Sequence, residues 1–365
     1  MKWRRLSSVA LTCLGLVVAC GGNIERDRNL ERASSDSSDS LPVPPRSCEQ
    51  QAPGADHRCG KNHDEDCCAS PLVPGGTFNR LNDPRFPATI SSFRMDKFEV
   101  TVGRLRRFVE GYPASWPDQG QGANPHIPGS GWRTQWFTPA SRFGDFRQKE
   151  AILAQLRCDF ELLVGPQEDP RGHQRFATWT DTPTAESETR PVNCVTWLTA
   201  FAFCAWDGGR LPTETEYLYV AAGGDEQREY PWGSAPWDDR TAQVSSYPGH
   251  PTPYSALRPL EPVGSRPLGA SRWGQLDLLG GVNEYFFDAR PAQDPPLPLD
   301  FVNPCNDCAD TRTVEGEELD YRRSDIGNFA SNPAYQYPTY LNRRGGVIAA
   351  DSAWIGRGFR CVRDP

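Results

Sequence analysis

The 365-residue sequence lacks any concentrated block of basic residues. Its 39 Lys and Arg residues are scattered, and 47 Asp and Glu residues give a formal charge of −8. Binding to a phosphate backbone requires a clustered positive surface, so the sequence offers no support for a nucleic-acid partner. It also lacks a nucleophile elbow, so nothing supports a hydrolase with a Ser-His-Asp triad.

Apolar residues are scarce as well. Hydrophobic residues make up 37% of the chain and the mean hydropathy is −0.62, whereas there are 34 Pro, 33 Gly and 11 Trp. This composition favours a loop-rich fold held by aromatic side chains over a helical bundle. The length suffices for one large domain or two ordinary ones.

The N-terminus predicts export. A basic stretch, MKWRR, precedes an apolar run that is too short for a comfortable membrane span and ends in VVAC. VVAC resembles a bacterial lipobox, which predicts a lipoprotein signal peptide over residues 1–19 and lipidation of Cys20. An ordinary signal peptide with an incidental Cys20 is the alternative. Gly21 in place of Asp favours outer-membrane sorting, so we expect an extracytoplasmic, lipid-anchored protein facing the periplasm or the surface.

Composition divides the exported chain into three parts. Residues 20–47 are rich in Ser and Asp and poor in apolar residues, which predicts a disordered tether. Residues 48–70 contain four cysteines and predict a collar closed by two disulfides, with a zinc knuckle as the alternative. Residues 71–365 contain no comparable linker and predict one domain. The ten cysteines after Cys20 are an even number, which favours disulfides.

Four helices are predicted from apolar spacing and capping residues. The first begins after Thr101, the second has one face from Ile152 to Phe160, the third begins near Thr196, and the fourth has a Thr213-to-Glu216 capping box and ends at Gly223-Gly224.

Four separated stretches of the chain carry specific motifs. In order they are GGTFNR…FRMDKFEVTVGRLRRFV (75–109), PVNCVTWLTAFAFCAWDGGRLPTETEYLYVAAGG…YPWG (191–233), GQLDLLGGVNEYFFDA (274–289) and RRGG…GRGFRC (343–361). Together they resemble the formylglycine-generating enzyme, or sulfatase-modifying factor, family. The resemblance implies a single compact α+β domain of the C-type-lectin-like kind, with little regular secondary structure and stapled by disulfides. It also implies a disulfide between Cys204 and Cys361. Arg210 in the GGRLPTE run can be buried only if it is paired.

The family's reaction uses two cysteines, after a Gly-Gly-Ser, that bind Cu(I) and activate oxygen. Counted from Gly345-Gly346, these positions hold Ala350 and Ile355, which offer no thiolate. No catalytic residue and no copper are therefore expected, and the first hypothesis is a non-catalytic binding or structural module. The alternatives are a copper-dependent oxidase that converts a sulfatase cysteine to formylglycine with relocated residues, and a protein that recognises the sulfatase peptide without oxidising it. Whether the chain is an enzyme stays open.

No other residues in the sequence stand out as a replacement for the two absent copper-binding cysteines. Cys305-x-x-Cys308 could be a redox or metal site or a structural disulfide, and Cys158 could pair with Cys194. The five histidines lie far apart without H-x-x-x-H spacing, unlike the iron-binding sulfoxide synthases of the same superfamily.

The resemblance also implies a structural calcium ion. The equivalent ligands are the carboxylates of Asp277 and Glu284 and the backbone carbonyls of Gly280 and Val282, which are the hard oxygen donors that Ca²⁺ prefers. The family's second calcium site has no convincing match around Gln243 and Val244.

The partner of such a module would be an extracytoplasmic protein, peptide or glycan, in addition to the membrane that holds the lipid on Cys20. Four tryptophans are candidates for contact with that partner, with packing of the domain as the alternative. They are Trp116, Trp132, Trp136 and Trp179.

Overall fold

The computed structural model describes residues 44–136, 148–159, 173–244, 258–289, 301–311, 322–324, 347–348 and 353–365. The predicted signal peptide, Cys20, the tether before residue 44, Gly345-Gly346 and Ala350 lie outside these ranges. Within them, no helix has the length and apolar character needed to cross a membrane.

The helices are short, and all of them except the second begin after a threonine whose side chain caps the first turn. They are α1 (Val102–Glu110), α2 (Lys149–Leu156), α3 (Ala185–Glu188), α4 (Trp197–Trp206) and α5 (Glu214–Ala222). The four predicted helices are confirmed as α1, α2, α4 and α5, although α2 ends at Leu156 and Phe160, predicted to lie on its face, is outside the described residues. At α5 the Thr213-to-Glu216 capping box is complete, and Gly223 ends the helix with a φ of +65°. The single-turn helix α3 was not predicted, because four residues are too few to produce a helical period.

The strands are shorter still and form three small sheets. They are β1 (Leu72–Val73), β2 (Gly76–Asn79), β3 (Pro87–Ile90), β4 (Phe93–Met95), β5 (Asn283–Ala289), β6 (Cys305–Asn306), β7 (Arg322–Ser324), β8 (Val347–Ile348), β9 (Arg357–Gly358) and β10 (Val362–Arg363). The sheet orders are β1-β4-β10, β2-β3-β6 and β8-β7-β5-β9. Strand β10 lies antiparallel to β4, so the C-terminus is paired with a strand from the beginning of the domain. The predicted fold class, a single compact α+β domain with little regular secondary structure and several disulfides, is confirmed.

Aromatic side chains fill the largest hydrophobic core, around α4. Trp132, Trp136 and Trp179 are buried there, and Trp116 packs against the cluster while partly exposed. The ring centroids of Trp136 and Trp197 are 5.2 Å apart in an edge-to-face arrangement. The interpretation of these tryptophans as a contact surface is therefore wrong for the three buried ones, and the packing alternative is confirmed for them.

Disulfides account for every cysteine in the described part of the chain. Cys204 bonds to Cys361, as the resemblance implied, and Cys158 bonds to Cys194. The remaining pairs are Cys48–Cys68, Cys59–Cys67 and Cys305–Cys308. The collar is thus closed by two disulfides, as predicted, and not by a zinc knuckle. Its cysteines pack against Phe98, Val263 and Leu276 of the domain.

Candidate functional site

Ile355, the residue predicted to stand at the family's second catalytic cysteine position, is buried. Ile355 has no solvent exposure and packs in a cluster with the Cys158–Cys194 disulfide, Leu260 and Val282. The side chain therefore fills the place of the expected thiol with apolar contacts. Ala350, aligned with the first cysteine, lies outside the described residues.

Asn193 fixes the main chain beside Ile355. Its Nδ2 atom donates to the carbonyl oxygens of Ile355 at 2.7 Å and Phe176 at 2.8 Å. Its Oδ1 atom accepts from the backbone N–H and the hydroxyl of Thr178 at 2.9 and 3.1 Å. A fully buried amide with all these bonds made resists opening of the segment, because each broken bond would leave a buried polar group unsatisfied. Asn193 lies in the PVNC motif, but nothing in the sequence marked its role.

The C-x-x-C pair is a structural disulfide in this fold. Cys305 and Cys308 bond to each other, and Cys305 is buried on β6, the strand paired with β3. In the described ranges, the ten cysteines that could have supplied a thiolate are all in disulfides. The same ranges contain no group of three or more His, Cys, Asp or Glu side chains placed to hold a metal ion.

The predicted calcium-binding loop, residues 277–284, is a tight turn leading into β5. Asp277 and Gly280 have positive φ values of 60° and 89°. A Cβ atom on Gly280 would lie 2.7 Å from the backbone nitrogen of Gln243, so only glycine fits. Gly281 donates from its backbone to the carbonyl oxygen of Gln243 at 3.0 Å, which fixes the loop against that segment.

Glu284 is paired with an arginine. Its Oε1 and Oε2 atoms accept from Nη2 and Nε of Arg360, both at 2.7 Å, and both side chains are fully buried. Arg360 also donates to the carbonyl oxygens of Asp96, Lys97 and Leu276. The Arg of the GFRC motif thus connects the loop to the strand end before α1. Any cation at this loop would share the Glu284 carboxylate with Arg360.

Glu99 is a third carboxylate at the loop that the sequence analysis missed. Its Oε1 atom accepts from the backbone N–H of Val282 at 2.8 Å. Burial raises the pKa of Glu99 well above its usual value, and the carboxylates of Asp277 and Glu284 raise it further. Burial likewise raises the pKa values of Asp277 and Glu284.

The buried charges at this loop bear on the predicted calcium site. Three desolvated carboxyl groups, those of Glu99, Asp277 and Glu284, lie within the electrostatic reach of Arg360, and Asp277 also interacts with Arg266. Close like charges in a low dielectric are costly without a counter-charge. A divalent cation held by Asp277 and Glu284, with Gly280 and Val282 supplying carbonyl oxygens, would supply that counter-charge.

Comparison with known proteins shows that the sequence is similar to the sulfatase-modifying factor family. The family model described as "Sulfatase-modifying factor enzyme 1-like domain" matches residues 57–365. The chain is 35% identical over 305 residues to the inactive C-alpha-formylglycine-generating enzyme 2 of Bos taurus, covering 80% of this chain and 86% of that protein. It is 30% identical over 326 residues to the formylglycine-generating enzyme of Mycobacterium tuberculosis, covering 80% of this chain and 97% of that protein.

Other mammalian relatives are longer than the matched region, which spans 56% to 66% of their length. Among solved structures, that of PvdO from Pseudomonas aeruginosa matches with a TM-score of 0.45 and 16% identity, covering 80% of this chain and 93% of that one.

Proposed function

Because the chain belongs to the sulfatase-modifying factor family, we propose that it is a member without the family's oxidase activity, acting as a binding or structural module. The burial of Ile355 at the second thiol position carries this proposal. Isoleucine can neither ligate Cu(I) nor form a mixed disulfide with a substrate thiol. Its packing against the Cys158–Cys194 disulfide also leaves no space there for a substrate sulfur.

The surrounding residues support the same proposal. Asn193 holds the carbonyl oxygen of Ile355, so the segment cannot open without losing buried hydrogen bonds. Every cysteine of the described part is in a disulfide, so a relocated copper site would require one of these bonds to be reduced first.

We further propose that the module acts outside the cytoplasm, anchored to the outer membrane by a lipid on Cys20, where its partner is a protein, peptide or glycan. The five disulfides support an oxidising compartment. The charge balance at loop 277–284 supports a bound Ca²⁺ with a structural role, held by Asp277, Gly280, Val282 and Glu284. Its role would be to fix the entry to β5 by offsetting the buried carboxylates.

Oxygen consumption on a cysteine-containing sulfatase peptide tests the proposal. The mature chain is loaded with Cu(I) and compared with the formylglycine-generating enzyme of M. tuberculosis as the active control. We expect no copper-dependent oxygen use by this chain and no conversion of the peptide cysteine by mass spectrometry. Copper-dependent turnover would overturn the proposal.

Two variants locate any activity that is found. In Cys305→Ala/Cys308→Ala the C-x-x-C pair is removed, so loss of turnover would assign the chemistry to relocated thiols. In Ala350→Cys/Ile355→Cys the family's pair is restored. We expect this variant to stay without turnover, because Asn193 and the packed disulfide keep the segment closed.

A further inference from the structure

A cavity of about 550 Å³ lies where the collar, residues 48–70, meets the domain. This volume is within the range of small-molecule sites. Its apolar wall includes the Cys48–Cys68 disulfide and Trp273, and its polar lining includes Ser70, Arg94 and Arg363. The cavity is separate from both Ile355 and the loop 277–284.

Three of the lining residues carry a buried polar atom that has no hydrogen-bond partner. They are the Nε atoms of Arg94 and Arg363 and the Oγ atom of Ser70. Buried polar atoms are nearly always bonded, so these three atoms can each take an acceptor if their side chains turn toward the cavity. The side chain of Arg363 is itself only 10% exposed.

The two arginines are direct cross-strand neighbours. Arg94 on β4 is opposite Arg363 on β10, so their side chains leave the same face of the sheet. Like charges in this position repel each other. An anion in the cavity would pair with Arg94, because the carboxylates of Asp96 and Asp207 already offset the charge of Arg363.

The charges of the other lining cations are already balanced. Arg363 is paired with Asp96 and Asp207, and Lys97 is paired with Glu65. In the described chain Arg94 has no carboxylate partner; its Nη1 atom donates to the carbonyl oxygen of Ser70 at 3.3 Å.

One carboxylate, Asp66, also lines the cavity. Its Oδ1 atom accepts from the backbone N–H of Cys68 at 2.9 Å, which orients it within the collar. Asp66 forms no ion pair with Arg94 among the described contacts. A ligand in the cavity could therefore pair with the charge of Arg94.

We propose that this cavity binds a small organic oxyanion, a carboxylate or phosphate joined to an apolar group. Arg94 would hold the anionic group with its guanidinium fork, and rotation of the Ser70 and Arg363 side chains toward the cavity would add their Oγ and Nε atoms as donors. The apolar group would lie against the disulfide and Trp273. The inference goes beyond the proposed function, because it concerns another surface and would hold for a catalytic chain as well.

Isothermal titration in phosphate-free buffer tests the proposal on the mature, oxidised chain. The probes are benzoate and phenyl phosphate, with neutral benzamide as the isosteric control and inorganic phosphate as the anion without an apolar group. We expect benzoate or phenyl phosphate to bind at least about tenfold more tightly than benzamide, because a charge-assisted bond contributes more than a neutral one. We also expect it to bind more tightly than inorganic phosphate.

Arg94→Gln is the diagnostic variant, and Arg240→Gln, an exposed arginine away from the cavity, is the matched control. Arg94→Gln is expected to weaken anion binding about tenfold or more, while Arg240→Gln leaves it unchanged. Ser70→Ala, which removes only a hydroxyl, should weaken it by a smaller factor and guards against misfolding of Arg94→Gln. The proposal is overturned if neither anion binds, if benzamide binds as tightly, or if both Arg94→Gln and Ser70→Ala bind as the wild type does.

Discussion

At the scale of single residues, the stability of the domain depends on buried charges that are fully paired. Asp96 accepts from Arg104 Nη1 at 2.8 Å and also pairs with Arg363. Asp207 accepts from the same two arginines at 2.6 and 2.8 Å. Burial alone would raise the pKa of Asp96, but the two guanidinium groups outweigh it and the pKa is lowered.

Asp96→Asn is expected to destabilise the domain by about 3–5 kcal/mol at pH 7, because it leaves buried guanidinium charge uncompensated. The lowered pKa means that the stabilisation is present above the unfolded pKa of about 3.9 and is lost as pH falls through the lower folded value. The difference between wild type and variant should therefore shrink on acidification below about pH 4. Urea unfolding at several pH values measures this.

The exposed pair of Asp238 and Arg240 provides the comparison for that experiment. Asp238→Asn removes the same charge from a side chain that is 38% exposed. We expect a loss below about 1 kcal/mol, since solvent screens such pairs. Equal losses for the two variants would contradict the importance of the buried network.

At the scale of elements, loop 277–284 determines how β5 enters the sheet. The loop is held by Gln243 on one side and by Glu99 on the other. Arg360 then pairs with Glu284, the second residue of β5. Burial still raises the pKa values of Glu99, Asp277 and Glu284, although Arg360, and at Asp277 also Arg266, acts in the opposite direction.

Calcium is expected to raise the melting temperature of the domain after treatment with EDTA. Ligand present at 100 times its dissociation constant stabilises by about 2.7 kcal/mol. Mg²⁺ should have a smaller effect, because it demands a more rigid octahedral geometry. Differential scanning fluorimetry with each ion measures the shift.

Asp277→Asn should abolish the calcium shift, whereas Asp225→Asn, at a side chain that is 80% exposed, should preserve it. A wild-type protein that does not respond to calcium, or a response that survives in Asp277→Asn, would rule out this site.

At the scale of the whole molecule, the last nine residues tie distant parts of the domain together. Arg360 reaches β5, Cys361 reaches α4 through its disulfide, and β10 adds a strand beside β4. The disulfide closes a sequence separation of 157 residues. In the chain-entropy account, a cross-link of this span restricts the unfolded chain strongly.

Cys204→Ala/Cys361→Ala is expected to lower the free energy of unfolding by roughly 5 kcal/mol on the chain-entropy account. The matched control, Cys305→Ala/Cys308→Ala, opens a bond whose separation is 3 residues. It should cost roughly 2 kcal/mol by the same account. Equal losses in denaturant unfolding would mean that local packing, and not chain connectivity, determines the value of these bonds.

Local features of the fold could be predicted because their partners are close in sequence. The capping box of Thr213 and Glu216 is readable within four residues. Arg210 was expected to need a partner, and it pairs with Glu216, six positions later, at 2.7 Å. The Cys204–Cys361 bond was predicted only because a family resemblance supplied it.

Long-range features could not be predicted, because they arise only when remote segments meet. Glu99 lies 183 residues before Val282, and Arg104 lies 103 residues before Asp207. Scattered acids and arginines carry no period or spacing that would pair them. The collar cavity is formed in the same way, since Arg94 and Arg363 become neighbours only in the folded sheet.

The charge network also decides how the domain would resist a mechanical pull on its N-terminus. Ser47 lies near the start of the described chain and contacts this network directly. Its backbone N–H donates to Asp207 at 2.8 Å, and its hydroxyl accepts from Arg104 at 3.1 Å. Asp207 is held in turn by Arg363, two residues from the cross-linked Cys361. Force applied at Ser47 would thus be distributed over the buried charge network to the C-terminal strand, which the Cys204–Cys361 disulfide holds to α4. Such a pull would load these buried contacts together before the segment that contains Ser47 could separate from the domain.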